Sequence, residues 1–190
     1  MRGVGIVAGL LAVLPVAATA QQANMAALSA GDVQVAAKVH LANKAEVDFG
    51  KLAKENGSSK EVQEFGDRLV KDHGAAADKL RAMVEGRGGT LSEPSEQDLA
   101  NDPDVKKALA KFDELKDLKG KDFDLAFTTY MVEEHEKDIK AVQGLAKQVS
   151  DSTLRATLNG MVPEMEQHLR VARDLSAKAG NPARKPNNHT

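Results

Sequence analysis

The chain has no cysteine. That excludes disulfides, thiolate metal sites, iron–sulfur clusters and cysteine nucleophiles, so stability has to come from core burial. It has no tryptophan and a single tyrosine, and no basic stripe runs along it. Nucleic acid, which is held by cationic grooves and stacking rings, is therefore not an expected partner. Strand patterns are missing too, because no segment alternates apolar and polar residues over a strand's length. Nor is there an activated serine or oxyanion-hole motif to suggest a hydrolase.

What is present begins with an N-terminal segment of one positive residue, Arg2, followed by an almost wholly apolar run from Val4 to Ala17. Ala18-Thr19-Ala20 fits a small-residue cleavage site, and the whole reads as a secretory signal peptide over residues 1–20. The run is short for a bilayer-spanning helix, which takes about 20 apolar residues. Arg2 is the one charged side chain in that segment, so cleavage takes the formal charge from −2 to −3. No later run is long enough to span a membrane. The expectation is an exported protein, periplasmic and free to associate with the outer membrane.

Beyond Ala20, residues 21–31 are small and polar and read as a flexible leader. Residues 32–179 then show helical spacing throughout. Val35, Val39, Ala42, Phe49 and Leu52 mark a first helix, stopped by Asn56-Gly57. Ser58-x-x-Glu61 reads as a capping box for a second helix, which shows Val62, Phe65, Leu69, Leu80 and Met83 on one face. Gly86, Gly88 and Gly89 end it. Thr90 to Asn101 reads as a loop, and Asp102-Pro103 starts a short helix that stops near Gly120. A third long helix follows through Phe123, Phe127, Met131, Ile139 and Val142. The fourth is capped by Asp151 or Ser152, contains Pro163, and closes at Gly180-Asn181-Pro182. Residues 180–190 read as a disordered tail. Two hairpins of long helices joined by one extended link predict an all-α, ferritin-like antiparallel four-helix bundle, with a short helix in the middle connection.

Each long helix bears acids or histidines on its apolar stripe. Residues three, four or seven apart share a helix face. By that rule Glu46 falls in register with Ala42, Phe49 and Ala53, and Asp72 and His73 follow Phe65 and Leu69. Glu134 and His135 follow Phe127 and Met131, and His168 follows Met161 and Met165, with Glu164 one turn earlier. His40 reads as a surface or border residue. A charge removed from water costs several kcal/mol unless paired or coordinated, roughly. Such a cluster must neutralise itself or bind a cation, and imidazole with carboxylate suits iron, manganese, zinc or copper.

Two readings follow. In one, Glu46, His73, His135 and His168 are inner ligands of a single transition-metal ion, with Asp72, Glu134 and Glu164 supporting them or replacing one, for storage, buffering or stress protection. In the other, the core is a metal-free hydrogen-bonded network in a structural or interaction protein, with a homo-oligomer or an envelope partner on its charged faces. A redox enzyme ranks last. Dinuclear carboxylate centres use Glu-x-x-His on two helices, and this sequence contains none.

Ala45-Glu46-Val47, Gly50-Lys51-Leu52-Ala53, Lys71-Asp72-His73, Phe123-Asp124, Met131-Val132, His135-Glu136-Lys137 and Pro163 through His168-Leu169 form an ordered set of short motifs. In order and spacing the chain resembles the exported bacterial family called domain-of-unknown-function 4142, over roughly Val33 to Leu175. The resemblance implies a ferritin-like bundle and export, and it picks out Glu46, Asp72, His73, Asp124, His135 and His168. It implies no reaction. Where the family tends to have tyrosine, this chain has Phe127, and its tyrosine is Tyr130.

Overall fold

Helix α1, Ala30–Asn56, opens on Ser29, whose hydroxyl accepts from the Asp32 amide. The chain is described by a computed structural model over residues 26–92 and 95–180. The expected signal peptide, residues 21–25 of the expected leader and residues 181–190 lie outside the described residues. Five further helices follow: α2 (Lys60–Glu85), α3 (Glu96–Asn101), α4 (Pro103–Lys116), α5 (Gly120–Gln148) and α6 (Ser152–Ala179). Among the described residues there is no strand, only an isolated bridge between Gly57 and Gly120.

That bridge fixes the direction of the bundle. It sets the end of α1 against the start of α5, and Asn56 reinforces it by donating to the carbonyls of Lys116 and Leu118 at 3.1 Å each. Asp124 closes the same end, accepting from the Ser58 amide, the Ser58 hydroxyl and the Ser59 amide at 2.9 to 3.0 Å. At the opposite end Asp32 accepts from the amides of Ser150 and Asp151 and from the Ser150 hydroxyl. Arg87 meets Asp151 there at 2.5 Å. The four long helices therefore run up, down, down, up, with one crossover returning along the bundle, which is the ferritin-like course.

Phe65, Leu69, Leu80, Phe123, Phe127, Met131, Leu154 and Leu158 fill the axis and are essentially inaccessible. Each such side chain contributes about 1.5–3 kcal/mol on burial. The α1–α2 hairpin closes at two glycines. A Cβ on Gly50 would lie 2.8 Å from the Gly66 carbonyl, and one on Gly66 would lie 2.6 Å from the Gly50 carbonyl. The backbones touch there, and no other residue fits both positions. Gly180, at φ 113°, turns the chain out of α6 in the left-handed region that favours glycine.

Four expectations need correction. The stretch expected as loop before Asp102 contains α3, so the middle connection holds two short helices. Ser59, not Ser58, caps α2 through the Val62 amide, because the Ser58 hydroxyl is bonded to Asp124. Ala42 is exposed and Asn43 takes the core-facing position. His40 is buried, with its Nδ1 3.0 Å from the Ala77 carbonyl. Asp102 caps α4 and Asp151 caps α6 as the sequence predicts. Helix α6 continues through Pro163.

Candidate metal centre

Three of the four long helices send an imidazole to one point on the bundle axis. His73 from α2, His135 from α5 and His168 from α6 have ring centroids 5.6, 5.1 and 5.4 Å apart. One ligand atom from each lies within 4.8 Å of those of the other two. The fourth long helix, α1, contributes a support. Asn43 Nδ2 donates to the Val39 carbonyl at 2.7 Å, which turns its Oδ1 toward His73 Nδ1 at 2.8 Å.

An amide oxygen can only accept, so His73 has its proton on Nδ1. The Met131 carbonyl, 3.0 Å from His135 Nδ1, imposes the same tautomer one turn along α5. His168 is held the other way round, with Nε2 3.1 Å from Asp72 Oδ2. What remains on the three rings is Nε2 of His73, Nε2 of His135 and Nδ1 of His168. All three atoms are buried, and none has a hydrogen-bond partner in the protein. Buried nitrogens are rarely left so. Here each is a lone pair on a ring whose other nitrogen is tied down, the arrangement usual for metal-ligating histidines.

The electrostatics keep those lone pairs free of protons. Burial holds the His73 ring well below the ordinary imidazole range, and His135 and His168 add to the effect. Burial, with His168 adjacent, takes His135 to about 3, against a weaker pull upward from the Met131 carbonyl. His168 is lowered by burial but partly restored by Asp72. Neutral imidazoles are the form that binds a metal.

The acids are arranged differently from the histidines. Among the described residues the three imidazoles are the one group of metal-ligating side chains in mutual reach, and Glu46, Glu134 and Glu164 are not in it. Asp72 supports His168. Glu134 is buried beside α4, where it accepts from Lys137 at 2.8 Å and from Lys107 at 3.5 Å. Glu164 is exposed at the rim of the adjoining cavity. Glu46 is buried on that cavity's wall with Oε2 unbonded, and burial, with Asp138 and Glu134 near, raises it to about 8. Asp138, unnoticed in the sequence, is itself raised by burial to about 6. Asn43 was equally hidden, although its spacing to Val39 and Glu46 marks the true core face of α1.

Tyr130 packs at 4.9 Å on Phe49, while Phe127 stacks on Phe123 at 5.4 Å. Asp124, picked out by the family pattern, closes the end of the bundle and is not part of the histidine cluster.

Fold and site together define an all-α four-helix bundle protein with three converging buried imidazoles. The chain belongs to the family described as Domain of unknown function (DUF4142), whose model matches residues 17–175. A DUF305 protein from Streptomyces coelicolor, proposed to be secreted, has a similar solved structure: TM-score 0.66 at 15% identity, covering 79% of this chain and 94% of that one. At that identity the likeness shows the fold alone. No curated protein matches.

Proposed function

We propose that this is an exported protein that binds one transition-metal ion between His73, His135 and His168, for storage, buffering or stress protection in the cell envelope. The observation behind this is the three buried imidazole nitrogens without partners, each on a ring oriented by Asn43, the Met131 carbonyl or Asp72. Removing a buried polar atom from water without giving it a partner costs about 1–3 kcal/mol. Three such atoms at one point are explained together by a cation. Neutral imidazoles without a thiolate or a carboxylate suit zinc or copper better than manganese. Three protein ligands also leave a fourth position for water or another molecule, as in open zinc sites.

Export rests on the N-terminal pattern of residues 1–20 and on the absence, among the described residues, of any helix long and apolar enough to cross a membrane. The test is X-ray absorption on the tag-free chain loaded with one equivalent of zinc or of copper(II). Three imidazole scatterers in the parent, and fewer in a His135→Ala variant that keeps its helical circular dichroism, are expected. A shell of oxygen donors alone, or an unchanged spectrum in the variant, overturns the reading and leaves a metal-free structural core.

A further inference from the structure

A cavity of about 480 Å³ opens onto His73 and His168, walled by α1, α2, α5 and α6 and roofed by α3 and α4. Its volume falls within the range of small-molecule sites, about 300–1,000 Å³. Most of its wall is apolar: Val39 and Phe49 from α1, Val105 and Phe112 from α4, Val142 from α5 and Met165 from α6. Leu109, at the roof, is 57% exposed, the one large hydrophobic side chain left in solvent among the described residues. A hydrated metal ion needs no such lining.

The charges on the wall are one-sided. Glu46, Asp48, Asp72, Asp102, Asp104, Glu134, Asp138 and Glu164 border the cavity, against Lys38, Lys44 and Lys137. Lys137 is already paired with Glu134 and Asp104. Glu46 is 7% exposed, and its Oε2 is buried without a partner. These carboxylates do not close into a metal-sized group, since the three histidines alone do so among the described residues.

We propose that this cavity binds an apolar organic cation, its hydrocarbon body against the α1–α4–α5 wall and its ammonium head on the Glu46 carboxylate. The head supplies the partner that Glu46 Oε2 lacks, and the acidic rim attracts the cation while repelling an anion of the same shape. Burial and its acidic neighbours keep Glu46 protonated near neutral pH, and an adjacent ammonium reverses that balance. His73 and His168 reach the same cavity, so the site adjoins the imidazoles, but the contact with Glu46 needs no metal on them.

Calorimetric titration of the full-length mature chain with octylammonium, octanol and octanoate tests this, as purified and again with one equivalent of zinc. One octylammonium per chain is expected, bound about tenfold or more tightly than octanoate. Glu46→Gln is expected to abolish that preference while leaving octanol binding unchanged, which also shows that the cavity is intact. Octanoate or octanol binding as tightly as octylammonium, absence of binding by all three, or a preference that survives Glu46→Gln overturns the proposal. A preference seen only with zinc present overturns it too, because the ligand would then have lost a proton and be bound to the metal as a neutral amine, not held as an ammonium by Glu46.

Discussion

Acidification should loosen the metal-free protein by an amount traceable to single histidines. His135 is 1% exposed, and its folded state holds the ring at about 3 against an ordinary value of 6.5. Below pH 6.5 the unfolded chain takes up a proton that the fold refuses. Stability from a depressed imidazole is thus complete above that value and is lost as pH falls toward 3. At pH 5 the gap already open is about 1.5 pKa units, worth about 2 kcal/mol at about 1.4 kcal/mol per unit.

Glu46 pulls in the opposite direction. Its folded value of about 8 exceeds the ordinary 4.5, so its cost to stability grows as pH rises between the two and shrinks on acidification. The assay must therefore be differential. Urea denaturation of the parent and of His135→Phe at pH 7 and pH 5, with chelator present, isolates the ring. The parent should lose about 2 kcal/mol more than the variant over that interval. Equal losses in the two proteins would refute a neutral buried imidazole at this position.

Three more outcomes follow from the same geometry. Glu46→Gln removes a carboxyl that burial penalises, and should raise stability at pH 7 by up to about 3 kcal/mol, with no gain at pH 4, read from urea midpoints at both values. Asn43→Ala leaves His73 Nδ1 without its acceptor and should weaken zinc binding about 10–100-fold in chelator competition, while helix content is unchanged. Gly66→Ala forces α1 and α2 apart where their backbones meet, and should cost about 1–3 kcal/mol in thermal or urea unfolding.

Much of the fold was legible because its signals are local. Helical spacing, the Asn56-Gly57 stop, the Asp102-Pro103 and Asp151 starts and the glycines after Glu85 each follow from backbone chemistry at one place. The α3 turn was not, since six residues with only Leu99 and Ala100 apolar are too few to show a helical period. The histidines could be placed on their faces by counting from Leu69, Met131 and Met165. Their common height could not, because it depends on how three helices slide past one another. Asn43 and His40 show the other limit. An apolar stripe runs through apolar residues, so it favours Ala42 over Asn43 and leaves His40 at the border, although the Ala77 carbonyl satisfies that ring in the interior. Glu46, drawn by the same counting toward the imidazoles, shares a cavity with His73 and His168, while the group in mutual reach is the three histidines.

The metal content of the protein itself tests the central claim most directly. The chain from Gln21 onward, expressed without a tag and purified without chelators, would be assayed by elemental mass spectrometry beside the His73→Ala/His168→Ala double variant. The account predicts close to one transition-metal ion per parent chain, or uptake of one zinc or copper on addition, and loss of both in the variant. A parent chain that is metal-free, takes up none of these ions and shows no shift in its melting temperature with them would contradict it.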